Sequence, residues 1–154
     1  MTEIRNARFL DDLHAVQTIF HEYALSASVS LEFQDYEAEF SSLPGKYAAP
    51  EGCLLLAWHQ ERVVGCGALR KVDSNTCEMK RVYIRPEGRG TGLGRQMVLR
   101  ILEEARTKGY SRICLDVLPE FKAATHIYES VGFTPSAPVT FNPVPGTQFL
   151  GLNL

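Results

Sequence analysis

The sequence predicts a single α+β domain with a mixed, mostly antiparallel sheet and helices on both faces. Segments whose apolar residues recur at helical spacing alternate with short apolar runs that are typical of strands. Two of these runs are separated only by Gln60 and Glu61, which is the length of a hairpin turn. No linker, repeat or low-complexity segment divides the 154 residues, and that length suits one domain. We therefore expect one core and one domain over residues 1–154.

The first half of the chain predicts one strand, two helices and three further strands. A weakly patterned strand at 2–8 is followed by a helix whose first turn is capped by Asp11 or Asp12. A short helix is predicted over residues 35–40. The three strands that follow are predicted at 53–59, 62–72 and 76–84.

The second half begins with a glycine-rich loop at 85–95, "RPEGRGTGLGR", placed directly after a predicted strand. An amphipathic helix follows the loop and ends near Gly109, where glycine is a common helix terminator. A strand is predicted at 111–118 and a helix within 119–132. Four prolines interrupt the tail before a last strand-like run at 147–154.

Composition and charge exclude several classes of function. The formal net charge of −2 gives no general attraction to nucleic acid or to an anionic membrane. No apolar stretch approaches the length of about 20 residues that spans a bilayer, and "MTEIRNARF" does not resemble a signal peptide. The four cysteines lie singly in apolar stretches, which indicates reduced thiols and a cytoplasmic protein. The four histidines have no metal-ligand spacing, so we expect no metal.

The glycine-rich loop has a pattern that suits a phosphate group. Glycines alternate with other residues and arginines frame them: Gly88, Gly90, Gly92, Gly94, Arg85, Arg89 and Arg95. Neither the P-loop spacing nor the dinucleotide spacing fits in any register. The spacing that fits is Arg89-x-x-Gly92-x-Gly94, between a strand and a helix whose first amides lack partners. These residues predict a cradle for a pyrophosphate, the alternative being a glycine-rich turn with solvated arginines.

Two motifs in this order resemble the GNAT superfamily, the N-acyltransferases that use acetyl-CoA. The family signature Q/R-x-x-G-x-G/A, which binds the pyrophosphate of CoA, is matched by Arg89, Gly92 and Gly94. The later "THIYESVGF" is similar to the family's L-Y-x-x-x-G-F, with Ile127 in place of leucine. The resemblance covers about residues 52–133.

The resemblance implies a sheet of about seven strands in which the strands at 76–84 and 111–118 run parallel and separate at the cofactor. It implies acetyl-CoA as co-substrate, with the pantetheine arm paired to the backbone of the first of these strands. The implied cofactor-binding residues are Val82, Tyr83, Ile84, Arg89, Gly90, Thr91, Gly92, Leu93, Gly94 and Arg95. Many members also bind the cofactor through an asparagine seven residues before the tyrosine, where this chain has Phe121.

Acetylation of an amine requires a group that accepts the proton of the ammonium ion. Glu78 is the candidate, because alternation along its strand puts it on one face with Lys80, Val82 and Ile84. The alternative is a structural ion pair between Glu78 and Lys80 or Arg81.

The departing thiolate requires a proton donor, and the resemblance assigns this role to Tyr128. Helical spacing alone gives Tyr128 the alternative of a core residue in a stripe with Phe121, Ala124 and Val131.

The predicted function is direct transfer of an acetyl group from acetyl-CoA to a primary amine of a small molecule or peptide. The alternatives are a non-catalytic acyl-CoA-binding module and a nucleotide-binding protein. An acidic set in the segment that lines the acceptor site of many family members either attracts a cationic amine or forms a solvated helix face: Glu32, Asp35, Glu37 and Glu39. Edge strands near the C-terminus make a homodimer possible.

Overall fold

A computed structural model describes residues 2–27 and 36–154 of the chain. The helices in these ranges are α1 (Leu13–Ser26), α2 (Tyr36–Ser41), α3 (Leu93–Thr107) and α4 (Lys122–Ser130). The strands are β1 (Thr2–Asn6), β2 (Cys53–His59), β3 (Arg62–Lys71), β4 (Thr76–Ile84), β5 (Arg112–Val117), β6 (Thr134–Pro135) and β7 (Gln148–Asn153). None of the helices in these ranges has both the length and the apolar character needed to cross a bilayer.

The seven strands form one mixed sheet in the order β1-β2-β3-β4-β5-β7-β6. Only the pair β4–β5 is parallel, and the other five pairs are antiparallel. The predicted fold class is therefore confirmed. The two-residue strand β6 is the one strand that the sequence did not predict, because prolines hide any alternation in its segment.

The helices pack on both faces of the sheet. The face that we call the α3 face carries α3 and α4 and contains Met97, Ile101 and Tyr128. The other, the α1 face, packs Val16, Ile19 and Phe20 of α1 against β2 and β3. Burial of these apolar side chains on two sides makes the sheet the centre of the core.

A bulge in β4 reverses the alternation of its side chains. Arg81 has φ of +60°, and the register with β3 shifts so that Arg81 and Val82 both lie opposite Gly67. Val82 and Ile84 consequently pack on the α3 face, together with Cys77 and Met79 of the first half of the strand. The prediction that Glu78 shares a face with Val82 and Ile84 was wrong, since simple alternation does not continue through a bulge.

The start of α1 differs in detail from the predicted cap. Asp12 does occupy the position before the helix, but its side chain caps no helical amide. The carboxylate instead accepts a hydrogen bond of 2.7 Å from the backbone N–H of Arg8, so it closes the loop that leads from β1 into α1.

Candidate active site

The two parallel strands separate halfway along their length. Their pairing runs from Thr76 opposite Arg112 to Glu78 opposite Cys114 and then ends. Residues 79–84 of β4 continue to pair with β3 on one edge, but no strand of the described residues pairs with the other edge. A cavity of about 770 Å³ opens at this separation and leaves the free edge of β4 accessible to a ligand.

The cavity passes between the two faces of the sheet. On the α3 face it is lined by Val82, Leu115 and Tyr128, and on the α1 face by Lys80 and Asp116. Two ligands can therefore approach from opposite faces and meet between β4 and β5.

The glycine-rich loop forms one end of this cavity. Gly90 and Gly92 have φ of +78° and +80°, a left-handed conformation that other residues rarely adopt. A Cβ atom at either position would meet nothing within 4 Å, so the space in front of this backbone is open. Gly92 directly precedes α3, and no side chain among the described residues caps the helix. The amides of its first turn remain available for an anion at the positive end of the helix dipole.

The two arginines predicted to assist the loop both line the cavity. The Arg89 Nε donates a hydrogen bond of 3.0 Å to the carbonyl of Ile84, and its guanidinium lies 5.9 Å from the centre of the Tyr83 ring. The Arg95 Nη1 donates to the Ser130 hydroxyl at 2.8 Å, which ties α3 to α4. Both side chains therefore have their positions set by protein contacts at the cavity rim.

The cavity brings together nine of the ten predicted cofactor-binding residues: Val82, Tyr83, Ile84, Arg89, Gly90, Gly92, Leu93, Gly94 and Arg95. The tenth, Thr91, is absent from the lining among the described residues. Its hydroxyl donates to the Gly88 carbonyl at 2.7 Å and so closes the turn that places its neighbours.

Tyr128 reaches the cavity with its hydroxyl unengaged. The residue is 7% exposed, and its ring packs edge-on against Phe133 at 5.9 Å. The hydroxyl forms no hydrogen bond with the described part of the chain. Burial raises the pKa of Tyr128, and the nearby Tyr23 and Asp116 raise it further. The phenol is thus protonated at neutral pH, with its proton free for a ligand.

Glu78 lies in a buried ion pair outside the cavity lining. Its Oε1 accepts a hydrogen bond of 2.8 Å from the Arg70 Nε and lies 2.7 Å from the Arg70 Nη2, and its Oε2 accepts a hydrogen bond of 3.0 Å from the Thr140 hydroxyl. The geometry favours the ion-pair alternative, but the partner is Arg70 and not the predicted Lys80 or Arg81. Arg70 stands directly opposite Glu78 in the β3–β4 register, which the sequence did not reveal.

Asp116 is a carboxylate at the cavity that the sequence reasoning missed. It lines the α1-face side, and the Asn142 side-chain amide donates to its Oδ2 at 2.8 Å. The signal was a lone acidic residue in the apolar run "RICLDVL". No sequence pattern pointed to Asn142, because its segment of the tail has neither a motif nor a regular spacing of apolar residues. Phe121 replaces the family asparagine with an apolar ring that also lines the cavity.

The acidic set of the acceptor segment divides into different environments. Glu32 and Asp35 lie outside the described residues. Glu37 is exposed on α2, as expected for a solvated helix face. Glu39 pairs with the buried guanidinium of Arg81 at 2.8 Å and accepts the Tyr47 hydroxyl at 2.6 Å. Within residues 2–27 and 36–154, no three histidine, cysteine or acidic side chains are placed to hold a metal ion.

Comparisons with known proteins agree with this geometry. The model of the acetyltransferase (GNAT) family matches residues 13–133. An uncharacterized N-acetyltransferase of Schizosaccharomyces pombe is 33% identical over 145 residues, covering 93% of this chain and 89% of its own. Among solved structures, an acetyltransferase from Streptococcus agalactiae has a TM-score of 0.79 at 23% identity, covering 99% of this chain and 98% of that one. The PaiA N-acetyltransferase from Thermoplasma acidophilum, in complex with coenzyme A, has a TM-score of 0.77 at 17% identity and covers 100% and 99%.

Proposed function

Because the chain belongs to the GNAT acetyltransferase family, we propose that it transfers the acetyl group of acetyl-CoA directly to a primary amine of a small molecule or peptide. The observation that carries the proposal is the uncapped glycine turn at the end of a cavity that crosses the sheet between β4 and β5. The coenzyme A held by the Thermoplasma acidophilum neighbour supports the choice of ligand.

The glycine turn suits the pyrophosphate of CoA. The amides of Gly90, Gly92 and Gly94 can approach the phosphates closely, since the space before the first two is open. Arg89 and Arg95 at the rim add positive charge near the doubly charged group. This arrangement binds phosphate through backbone dipoles that are already in place.

The free edge of β4 suits the pantetheine arm. In the described part of the chain, residues 79–84 have no partner strand on the side of β5, so their amides and carbonyls can pair with the amide groups of an extended ligand. Val82 and Ile84 line this path. Bound acetyl-CoA supplies an acyl carbon activated as a thioester.

Two side chains at the cavity can manage the protons of the reaction. A lysine-like ammonium ion must lose a proton before it can attack, which costs about 4.6 kcal/mol at pH 7. We assign the acceptance of this proton to Asp116, which faces the cavity, in place of the buried Glu78. Tyr128 gives its proton to the departing sulfur as the C–N bond forms and the C–S bond breaks. Of the two protons that the ammonium ion loses, one replaces that of Tyr128 and the other passes through Asp116 to solvent.

The test compares two substitutions at one position of the glycine turn. In Gly92→Asp a carboxylate faces the pyrophosphate, whereas Gly92→Asn has nearly the same shape without the charge and tolerates the left-handed backbone. Both side chains can cap α3, so both variants should fold. By calorimetry we expect Gly92→Asp to bind CoA at least tenfold more weakly than Gly92→Asn. Equal affinities would place the cofactor elsewhere.

The catalytic half of the proposal is tested by the release of free thiol from acetyl-CoA with a panel of amines. Release that depends on the amine is the expected result. A protein that binds CoA but releases no thiol with any amine would be a non-catalytic acyl-CoA-binding module. Thermal stabilisation by ATP as large as that by CoA would indicate a nucleotide-binding protein.

A further inference from the structure

Most of the buried charges on the α1 face are neutralised within the protein. The ion pairs are Arg70–Glu78, Arg81–Glu39 and Arg85–Glu22, each with a shortest separation of 2.7 or 2.8 Å. Two charged residues that line the α1-face side of the cavity remain outside these pairs, namely Lys80 and Asp116. Charges held at a half-dry site without a partner cost free energy, so a partner that arrives with a ligand would offset that cost.

Lys80 is a buried cationic residue that lines the cavity. The residue is 7% exposed, yet its Nζ makes no hydrogen bond or ion pair with a described residue. Burial lowers the pKa of Lys80, while the carboxylates of Glu78 and Asp116 oppose that shift. Glu78 is already satisfied by Arg70, so it is no strong partner for the ammonium.

Asp116 is the matching unpaired anion. Its hydrogen bond from Asn142 is to a neutral amide, which orients the carboxylate without cancelling its charge. No cationic side chain in the described part of the chain lies within 4.0 Å of it. One carboxylate oxygen thus remains for a donor in the cavity.

The strand register places these two groups opposite each other. Glu78 and Cys114 form the last pair of the parallel ladder, and Lys80 and Asp116 each lie two residues further along. Both therefore point to the α1 face at the place where the strands separate. Asp116 and Tyr128 line the same cavity, so an amine bound at Asp116 shares that cavity with the proposed proton donor.

We propose that Lys80 and Asp116 form a subsite for a zwitterionic acceptor, a free amino acid whose ammonium group binds Asp116 and whose carboxylate binds Lys80. This inference rests on the proposed function and names the class of its acceptor. The opposite charges at the two sides of the strand separation match the two ends of a small amino acid. Asp116 then orients the nitrogen that is acetylated, and Lys80 selects for the carboxylate.

The test uses pairs of acceptors that differ only in the carboxylate, such as glycine with glycinamide and β-alanine with β-alaninamide. We measure thiol release for the wild type, Lys80→Met, Lys80→Arg and the exposed control Lys46→Met. The wild type should prefer the amino acids, and Lys80→Met should lose roughly tenfold to a hundredfold in kcat/KM for them, mainly through KM. The kcat/KM of Lys80→Met for the two amides should change little. Lys80→Arg should restore the preference, since an anion site needs only the charge.

A binding measurement separates this inference from the proposed function. In the presence of CoA, the amino acids should raise the Tm of the wild type and of Lys46→Met but not that of Lys80→Met. Equal use of amides and amino acids would retain the acetyltransferase and overturn the subsite. Stabilisation by amino acids without any thiol release would support the subsite and overturn the proposed function. If Lys80→Arg lost as much kcat/KM as Lys80→Met, with the amides as well as with the amino acids, Lys80 would be acting as a base. That result would overturn the inference.

Discussion

Tyr128 belongs to the core and also lines the candidate active site. Its ring belongs to the core and packs against Phe133, as the helical stripe predicted. The residue also lines the cavity, and its hydroxyl makes no hydrogen bond in the described chain. The ring fixes the position of the residue, and the free hydroxyl suits it for proton transfer.

We expect Tyr128→Phe to lower turnover roughly a hundredfold, because loss of a positioned proton donor has an effect of that order. The affinity for CoA should change little, since the ring and its packing are retained. Turnover follows from thiol release and affinity from calorimetry. Tyr110→Phe is the matched control, because the Tyr110 hydroxyl donates a hydrogen bond of 2.6 Å to the Glu51 carbonyl and the residue lies outside the cavity lining. Equal turnover in the two variants would remove Tyr128 from the chemistry.

Glu78 illustrates why the type of residue alone does not identify a base. A carboxylate in a central strand is tolerated where a cation stands opposite, and Arg70 provides that cation in the next strand. Among the described residues, Asp116 has only a neutral amide as hydrogen-bond partner, and it lines the cavity. The difference between the two carboxylates is one of pairing, and pairing is known only when the strand register is known.

At the scale of elements, the buried ion pair of Glu39 and Arg81 ties helix α2 to the sheet. A helix of six residues is not stable by itself, so tertiary contacts must hold it. The Glu39 carboxylate binds the Arg81 guanidinium through two hydrogen bonds of 2.8 and 3.2 Å, with the arginine side chain 1% exposed. This contact ties α2 to the bulge of β4, which lies at the cavity.

We therefore expect Glu39→Gln to lower the free energy of unfolding by about 3 kcal/mol, because it removes one member of a buried ion pair. Glu37→Gln is the matched control, since it neutralises an exposed carboxylate on the same helix. Urea unfolding of both variants measures the effect. If the two variants lost the same free energy of unfolding, the Glu39–Arg81 ion pair would add no stability beyond the general effect of one negative charge on the helix.

The sequence predicted those elements whose signals are local. The hairpin of β2 and β3, the glycine loop and α3 follow from spacing within a few residues, and the structure has all of them. The bulge at Arg81 depends on how β4 pairs with Gly67 across the sheet, so alternation in one strand could not reveal it. The tail that brings Asn142 to the cavity has no period, because prolines set its path.

At the scale of the whole molecule, burial of the cysteines in the core makes the stability of the protein depend on pH in the alkaline range. All four are free, buried thiols, as expected of reduced core residues. Burial raises the pKa of Cys53, Cys66 and Cys77 from 9.0 to about 12. The folded protein thus keeps these protons at a pH where the unfolded chain loses them.

This linkage gives the free energy of unfolding a predictable dependence on pH. Between about pH 9 and 12 the unfolded state binds fewer protons than the folded state, so stability falls as pH rises. Each such thiol adds about 1.4 kcal/mol per pH unit to the slope. The stabilising contribution is complete below pH 9 and lost toward pH 12. Tyrosines and lysines that titrate in the same range contribute equally in every variant, so a comparison of variants isolates one thiol.

We expect Cys66→Ala to reduce the slope of stability against pH by about 1.4 kcal/mol per unit between pH 9.5 and 11, measured by urea unfolding with a reductant present. Val64→Ala is the control, because it also truncates a buried side chain of β3 but removes no titrating group. Its stability should be lower than that of the wild type by the same amount at every pH. The stability of Cys66→Ala should instead approach that of the wild type as pH rises. The wild type loses stability there because its folded state keeps the Cys66 proton that the unfolded chain releases, and the variant has no thiol at this position. Parallel curves for the two variants would mean that the thiol at Cys66 ionises as readily in the folded protein as in the unfolded chain.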